Sequence, residues 1–239
     1  NNSNKKVTRI NLGTLIEANV ASATDLGLFN LNNPKNLRIA RGGGNFHAFV
    51  TNDLGNDLIR IDFGNSVANT PTGFTALNDP LFVSGWGFDI SYDCIQNKYV
   101  GFFISYLQSK VQILDFGNSL TNTPVISGSI TTGANPSGAQ LIRDGQNWHL
   151  LLALFGLNQM QNFKIGTSLL NTPVSVFADT VGGIKSPQCI AAFKDSSRFY
   201  AFTTNTSPSS FTRIMWPEPC TSNPVFSTDP AGITAAAGG

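Results

Sequence analysis

One segment recurs along the chain at a nearly constant interval, and this repeat constrains the fold more than any other feature. Each copy is a short run of β-branched and aromatic residues that ends at an anchor residue, and successive anchors are 51, 53, 49 and 51 residues apart. A period of this length, built from strands, is typical of one blade of a β-propeller. The anchors are Gly13, Gly64, Gly117, Gly166 and Pro217.

The repeat continues on both sides of the anchor, which indicates true copies. A turn that ends in proline follows after seven residues, as Asn69-Thr70-Pro71, Asn122-Thr123-Pro124, Asn171-Thr172-Pro173 and, more loosely, Ser222-Asn223-Pro224. Eighteen residues before the last four anchors stand Phe46, Tyr99, Trp148 and Phe199, and twelve residues before these stand Pro34, Gly87, Pro136 and Pro187.

Each copy divides into four short strands bounded by Gly, Asn, Asp and Pro. In the first full copy these are Leu37–Ala40, Phe46–Thr51, Leu58–Phe63 and Gly73–Leu77. No segment has a convincing amphipathic helical pattern. We therefore predict an all-β chain that forms a β-propeller with four-stranded blades of about 50 residues. Residues 1–239 are taken as a single propeller domain or a segment of one.

The two ends of the chain leave the size of the ring open. Lys6–Gly13 is a third strand with no earlier strand before it, and Pro230–Gly239 matches the inner-strand pattern of Pro34–Gly43. In one interpretation the ends share a fifth blade that lacks one strand. In the other, slightly favoured because a missing central strand leaves backbone groups unpaired, the chain is a segment of a larger ring. A partner chain could also supply the strand.

Charge and composition limit the classes of partner that the chain is expected to bind. The 15 Lys and Arg residues nearly balance the 14 Asp and Glu residues, and the net charge of +1 argues against a nucleic-acid or polybasic membrane surface. Charged residues make up only 12% of the chain. Asn, Ser, Thr and Gly supply the polar surface instead, which fits an extracellular protein. No apolar run approaches the roughly 20 residues of a membrane span, so we expect no membrane insertion.

No catalytic, cofactor or metal motif is present. His47 and His149 share a repeat position that holds Val100 and Tyr200 elsewhere, so packing explains them better than metal binding. The segment Asp53-Leu54-Gly55-Asn56-Asp57 lacks the glutamate and spacing of a calcium loop and fits a strand turn. Neither a nucleophile elbow nor a phosphate-binding glycine loop occurs. We therefore expect no enzymatic activity, no cofactor and no metal.

The three cysteines are expected to be free thiols. Cys94 ends an inner strand in one blade, and Cys189 begins an inner strand two blades later. Cys220 follows the third strand of that same blade. Because first and third strands run parallel, Cys189 and Cys220 would lie at opposite ends of the blade, beyond the Cα separation of about 7 Å that a disulfide tolerates.

A ligand site is expected where the repeat is broken, because loops on a rigid scaffold carry function. Most copies place a polar residue and a proline before the inner strand, whereas the second copy reads Ser84-Gly85-Trp86-Gly87-Phe88. Trp86 and Phe88 are therefore candidate ligand-binding residues for a protein or glycan at the propeller face. The alternative is that Trp86 plugs the channel or packs on a neighbouring blade.

Two copies carry the most specific motif. They read Arg60-Ile61-Asp62-Phe63-Gly64-Asn65-Ser66 and Leu114-Asp115-Phe116-Gly117-Asn118-Ser119, each followed by Asn-Thr-Pro. Over about residues 7–225 this pattern resembles the propeller-like repeats of large secreted surface proteins of gliding bacteria. The resemblance implies export by the type IX secretion system, display on the bacterial cell surface and a role in adhesion or gliding motility. It also implies contacts with other domains of a longer chain or with secretion and surface machinery.

Together these observations predict a non-catalytic propeller module that binds a protein or glycan on the outside of a bacterial cell. One alternative is a carbohydrate-active hydrolase or lyase with a channel-centred site. Another is a purely structural spacer domain. Two or more acids or histidines around one cavity would favour the enzyme.

Overall fold

The computed structural model describes residues 5–11, 22–179, 183–195, 198–207, 209–217 and 225–228, and the side chains of all of these except 179, 217 and 225–228. Within these ranges the chain is all-β, apart from one turn of 3-10 helix at Phe155–Leu157. None of the described residues forms a helix long and apolar enough to cross a membrane.

In the part of the chain that the structure describes, four antiparallel four-stranded sheets form the blades, which confirms the predicted propeller fold. A two-stranded sheet of β1 (Val7–Asn11) and β2 (Ser22–Gly27) precedes them. Blade 1 contains β3 (Pro34–Gly42), β4 (Asn45–Asn52), β5 (Asp57–Gly64) and β6 (Gly73–Asn78). Blade 2 contains β7 (Gly85–Asp93), β8 (Lys98–Ser105), β9 (Lys110–Asp115) and β10 (Val125–Thr131). Blade 3 contains β11 (Pro136–Asp144), β12 (Asn147–Leu154), β13 (Gln159–Gly166) and β14 (Val174–Asp179). Blade 4 contains β15 (Pro187–Asp195), β16 (Arg198–Thr206), β17 (Ser209–Pro217) and β18 (Val225–Thr228).

The innermost strand of each blade is its first strand, and the inner strands β3, β7, β11 and β15 contact one another in that order. The hydrophobic core lies between the blades. Between blades 1 and 2, for example, the Phe49 ring centroid lies 5.4 Å from that of Phe88 and 5.5 Å from that of Phe116. Second strands contribute to the cores on both of their faces, as their apolar sequences predict.

The anchor motif has a physical explanation in the turn after the third strand. Gly64 and Gly117 adopt φ values of 69° and 66°, in the left-handed region that glycine enters without steric cost. The asparagine of the following Asn-Thr-Pro turn then folds back. Asn69 Nδ2 donates to the Phe63 carbonyl at 3.0 Å, and Asn122 Nδ2 donates to the Phe116 carbonyl at 2.8 Å. Glycine and asparagine therefore recur together because one shapes the turn and the other closes it.

The register of blade 2 differs by two residues from the sequence alignment. Gly85 pairs with Ser105, as Pro34 pairs with Asn52 in blade 1, so Gly85 and not Gly87 is the equivalent of Pro34. The reason is the turn between the first two strands. Asp93 pairs with Lys98, which leaves four residues in that turn, whereas the corresponding turn of blade 1 has two.

Cys94 and Cys189 are exposed free thiols among the described residues. Cys220 lies outside those residues, as does the Pro230–Gly239 segment that the sequence assigns to an inner strand. At the other end, β1 and β2 form a hydrophobic cluster with blade 1, to which Val7, Leu26 and Phe29 contribute.

Candidate functional site at the channel mouth

The inner strands all begin at one end of the ring, which we call the channel mouth. The residue before each inner strand has a positive φ: Asn33, Ser84, Asn135 and Ser186, at 58°, 51°, 37° and 46°. In blades 1 to 3 the carbonyl of that residue accepts the backbone N–H of Asp53, Tyr106 or Phe155, at distances of 3.0 to 3.2 Å. Each of these three residues opens the connection between the second and third strands. The same backbone geometry therefore brings three different side chains to the mouth.

An aromatic cluster of Trp86, Tyr106 and Phe155 joins blades 2 and 3 at the mouth. The Trp86 and Tyr106 rings stack at a centroid distance of 4.0 Å and an angle of 13°. The Phe155 ring packs edge-on against both, with its centroid 6.2 Å from that of Trp86 and 6.1 Å from that of Tyr106. All three are only half-buried. Burial and the nearby Asp53 charge raise the pKa of Tyr106, so its hydroxyl stays protonated at neutral pH.

Asp53 of blade 1 binds this cluster. Its Oδ1 accepts the Trp86 indole N–H at 3.0 Å and the Ser84 hydroxyl. Its Oδ2 accepts Asn33 Nδ2 at 2.8 Å and lies 3.6 Å from Lys35 Nζ. The Lys35 ammonium also stands 4.8 Å from the centre of the Trp86 ring, a cation–π contact. A carboxylate, an ammonium and an aromatic face thus meet where blades 1 and 2 adjoin.

A second cluster of polar side chains lies further along the inner strands, away from the start of each strand at the mouth. Arg38, Asp89 and Gln140 occupy the same register position in blades 1, 2 and 3, opposite Phe49, Phe102 and Leu151. Arg38 Nε lies 2.7 Å from Asp89 Oδ1, and the Leu141 N–H and the Gln140 amide donate to Asp89 Oδ2 at 2.6 and 3.2 Å.

Asp89 is buried, with only 1% of its surface exposed. Burial raises the pKa of this carboxyl, against the opposing effects of the Arg38 charge and of two backbone N–H groups. The Arg38 side chain remains 39% exposed. Asp89 therefore serves to orient Arg38, while the guanidinium is the group that a ligand can reach.

The structure separates the two predicted ligand-binding residues. Trp86 lies at the mouth, on strand β7 and not in a loop. Phe88 is 1% exposed and packs on Phe49 between blades 1 and 2, so no ligand reaches it and we remove it from the site. Its side chain points into the core because it lies past the bulge in β7, at a position that faces the preceding blade.

Sequence reasoning missed the polar half of the site. In the sequence Asp53 fits an ordinary strand turn, and Lys35, Arg38 and Asp89 form no motif, because Asp89 lies one copy after the other two. One signal is present in the sequence: Asp53 and Tyr106 each directly follow the second strand of their blade, yet their side chains differ completely in chemistry. Differences between the residues at equivalent positions of the copies therefore identify the channel mouth better than an unusual residue within one loop does.

Both histidines pack inside blades. His47 Nδ1 lies 2.6 Å from Asp62 Oδ1, and His149 Nδ1 lies 3.1 Å from Asn162 Oδ1. Burial lowers the pKa of His149 and keeps its imidazole neutral. Across the described ranges, no group of three or more His, Cys, Asp or Glu side chains is arranged to hold a metal ion.

No protein-family model and no curated protein matches the sequence. Solved structures match in fold. An exo-β-1,3-galactanase from Phanerochaete chrysosporium with bound β-1,3-galactotriose gives a TM-score of 0.61 at 13% identity, over 79% of this chain and 48% of that chain. An exo-β-1,3-galactanase from Clostridium thermocellum gives a TM-score of 0.57 at 11% identity, over 83% of this chain and 49% of that chain. A functionally unknown protein from Desulfotomaculum acetoxidans gives 0.56 at 17%, over 82% and 55%.

The chain spans about half the length of these structures, and at such identities the likeness shows the propeller fold alone. It nevertheless corrects two expectations. The sequence predicted a non-catalytic binding or adhesion module and no enzymatic activity, and glycoside hydrolases among the structural neighbours contradict both. Both expectations rested on the lack of a catalytic motif in the linear sequence, whereas the channel mouth brings together residues of separate blades, such as Asp53 and Trp86.

Proposed function

We propose that the protein is a carbohydrate-active hydrolase that binds a glycan at the channel mouth and cleaves a glycosidic bond there. The observation that carries the proposal is the 3.0 Å hydrogen bond between the Trp86 indole and Asp53, which sets a carboxylate beside an aromatic face. An apolar sugar face packs on such a ring, and a carboxyl group is the usual proton donor or acceptor in glycoside hydrolysis. The fold likeness to exo-β-1,3-galactanases supports the same class of reaction.

Lys35 has to move before a sugar can lie on the face of Trp86 that its ammonium covers. Its cation–π contact at a partly exposed site contributes about 0.5–1 kcal/mol. Its ion pair with Asp53 is long, at 3.6 Å, and a partly exposed pair of this kind contributes about 0–1 kcal/mol. Burial of apolar sugar surface offsets costs of this size. Lys35 is therefore a displaceable group, free after displacement to bind sugar hydroxyls.

We assign the direct chemical role to Asp53, whose side chain is 17% exposed at the mouth. Glycoside hydrolysis pairs an acid that protonates the leaving oxygen with a carboxylate that activates water. Asp53 accepts three hydrogen bonds and pairs with Lys35, so we assign it the carboxylate role. It takes a proton from water as the water oxygen bonds to the anomeric carbon and the glycosidic C–O bond breaks, and the leaving oxygen takes its proton from solvent at the open mouth. Arg38, held by Asp89, supplies a fixed donor for sugar hydroxyls one layer below. Trp86 and Asp89 are three residues apart on β7, so their Cα atoms are at most about 10 Å apart. That span fits one or two sugar units.

The test is hydrolysis of a polysaccharide panel that includes β-1,3-galactan, followed by release of reducing ends. Asp53→Asn should lower turnover at least about 100-fold, because it removes the proton-transferring group. Trp86→Ala should raise KM about tenfold, because it removes the stacking face. Trp148→Ala is the matched control. Trp148 carries a similar cation–π contact, with Arg143 at 5.3 Å, but lies at the opposite end of its blade.

Two results would contradict the proposal. One is a folded wild-type protein that cleaves no polysaccharide of the panel. The other is activity that survives in Asp53→Asn, which would place the chemistry elsewhere.

We extend the proposal to an extracellular, surface-displayed location, as the resemblance to secreted repeats and the Asn- and Ser-rich composition predict. A polysaccharide-cleaving enzyme also meets its substrate outside the cell. Immunodetection in fractionated cells of the source organism tests this point: signal in the medium or at the surface supports it, and signal confined to the cytoplasm contradicts it.

A further inference from the structure

The guanidinium of Arg38 is held in one orientation by a buried carboxylate of the next blade. Arg38 Nε lies 2.7 Å from Asp89 Oδ1, and Arg38 Nη2 donates to Asp89 Oδ2 at 3.2 Å. One edge of the planar guanidinium therefore faces both carboxylate oxygens, which is the bidentate geometry of strong Arg–carboxylate pairs. Because this contact fixes the plane of the guanidinium, the N–H groups on its other edge also point in fixed directions.

Asp89 has no capacity left for a ligand. Besides Arg38, its Oδ1 accepts the Ile90 N–H at 2.8 Å, and its Oδ2 accepts the Leu141 N–H at 2.6 Å. The Gln140 amide also donates to Oδ2, at 3.2 Å. An ionised carboxylate has about four lone-pair sites, and these contacts use them all. What the cluster presents to a ligand is therefore the remaining donors of Arg38.

The edge of Arg38 formed by Nη1 and Nη2 is open to solvent. Nη1 has no hydrogen-bond partner among the residues that the structure describes, and the side chain is 39% exposed. The outer N–H groups of this edge are parallel, and the two oxygens of a carboxylate accept such a pair simultaneously. A sugar hydroxyl supplies a single oxygen and leaves the second N–H to water. The open edge therefore matches an anion with two oxygens better than it matches a hydroxyl.

Arg38 supplies the only exposed charge at its level of the channel in the four described blades. Its register equivalents in blades 2, 3 and 4 are Asp89, Gln140 and Ala191. Asp89 is 1% exposed, and Gln140 is neutral with its amide directed at Asp89. Ala191 is exposed and carries only a methyl group. At these four positions a ligand therefore meets positive charge.

The channel mouth and Arg38 lie along the same pair of inner strands. Lys35 of β3 contacts Trp86 of β7. Three residues further along both strands, Arg38 contacts Asp89. The two contacts are therefore separated by at most about 10 Å along each strand, so a glycan of two units that stacks on Trp86 reaches Arg38. Asp53, the carboxylate at the mouth, lies 3.6 Å from the Lys35 ammonium, which offsets its repulsion of an anionic substrate.

We propose that the glycan bound at the channel mouth is acidic, and that the Nη1–Nη2 edge of Arg38 binds the carboxylate of a uronic acid unit beside the unit that stacks on Trp86. This specificity rests on the proposed function, because the acidic glycan is the substrate of the same site. Arg38 is then a specificity-determining residue, and Asp89 is a positioning residue that acts through it. A bidentate charge-assisted contact is stronger than a hydrogen bond to a neutral hydroxyl, so a uronate should bind at least about tenfold more tightly than the neutral sugar of the same linkage.

The test compares trisaccharides that differ only in the oxidation state of their primary alcohol groups. The probes are β-1,3-galactotriose, cellotriose and maltotriose, the same three with those alcohols oxidised to carboxylates, and the methyl esters of the oxidised forms. Each is titrated calorimetrically into the Asp53→Asn protein, which does not consume it. At least one oxidised probe should bind at least about tenfold more tightly than both its neutral parent and its methyl ester. Added salt should reduce this preference, because it screens a partly exposed ion pair.

Arg38→Gln, in the same Asp53→Asn background, should bring the affinities for the oxidised and neutral probes within about twofold of each other. Arg38→Lys keeps the charge but lacks the two-donor edge, so it should keep only part of the preference. Arg41→Gln is the matched control and should leave the preference unchanged. Arg41 is exposed near the other end of β3, where its guanidinium carbon lies 5.2 Å from the centre of the Phe46 ring. Melting temperatures verify that each variant is folded, and the preference of the protein with Arg38 intact tests the assignment even where a variant is not.

Three results would overturn this specificity while the proposed function stands. The oxidised and neutral probes bind with equal affinity, the preference survives unchanged in Arg38→Gln, or a sulfate ester at the same carbon binds more tightly than the carboxylate. Binding of no probe in any form would overturn the proposed function together with the specificity.

Discussion

Asp93 connects blades 2 and 3 from a fully buried position, and its removal should destabilise the ring strongly. Its Oδ2 accepts the Ser168 hydroxyl at 2.5 Å and the Leu169 N–H at 2.7 Å across the blade boundary. Its Oδ1 accepts the N–H groups of Ile95 and Gln96 in its own turn. Both cross-blade donors are themselves buried.

Asp93→Ala leaves these donors without an acceptor. A buried donor left unpaired costs about 1–3 kcal/mol, so the two cross-blade donors together cost about 4 kcal/mol. For a chain of this size 1 kcal/mol moves the melting temperature by about 2–4 °C, which predicts a decrease of about 10 °C at pH 7. Asp195→Ala, at the equivalent but exposed position of blade 4, should lower it by less than about 2 °C.

The same residue gives a pH test with a definite sign. Burial raises the pKa of Asp93, but the hydrogen bonds from Ser168, Gln96, Leu169 and Ile95 outweigh burial and lower it. The stabilisation is thus present above the unfolded value of about 3.9 and is lost as pH falls through the lower folded value. The gap in melting temperature between wild type and Asp93→Asn should close as pH falls below about 3.9. A gap independent of pH, or equal losses in Asp93→Ala and Asp195→Ala, would refute this reasoning.

Three further predictions concern the scaffold. Arg60→Met should lower the free energy of unfolding by about 2–4 kcal/mol in urea titrations, since its buried guanidinium binds two carbonyls of blade 2, whereas exposed Arg41→Met should have little effect. Gly138→Ala should cost about 1–3 kcal/mol, because its Cβ would lie 3.0 Å from a backbone nitrogen of blade 4, whereas Gly73→Ala meets nothing within 4 Å and should be near neutral. The wild-type free energy of unfolding should fall as pH drops below about 6.5. Below that pH His149 takes up a proton in the unfolded chain, whereas burial lowers its pKa in the folded protein and keeps the imidazole neutral. His149→Gln should reduce this pH dependence.

The repeat made the propeller predictable because every blade repeats the same local solution. A left-handed glycine, the asparagine that closes the turn after it and a doubly apolar second strand can each be identified from the sequence. The register of blade 2 could not be predicted from the sequence, because its two extra residues lie in the turn between Asp93 and Lys98 and only the strand pairing reveals them. That shift gave Trp86-Gly87 the appearance of a replaced Asn-Pro pair.

The site was predictable only in part. Trp86 was found because it is chemically unusual in its copy. Asp53 was not, since an aspartate between strands is common in turns, and its contact with Trp86 depends on how closely two blades approach. The pair of Arg38 and Asp89 likewise joins residues from different blades, and no local pattern encodes that distance.

The central claim, that the channel mouth binds a glycan on Trp86, is tested most directly by calorimetric titration of an oligosaccharide into the Asp53→Asn protein, in which the ligand is not consumed. The account predicts saturable binding that Trp86→Ala weakens about tenfold in this background, with no change from Trp148→Ala. Equal affinities with and without Trp86, or the larger loss from Trp148→Ala, would contradict it.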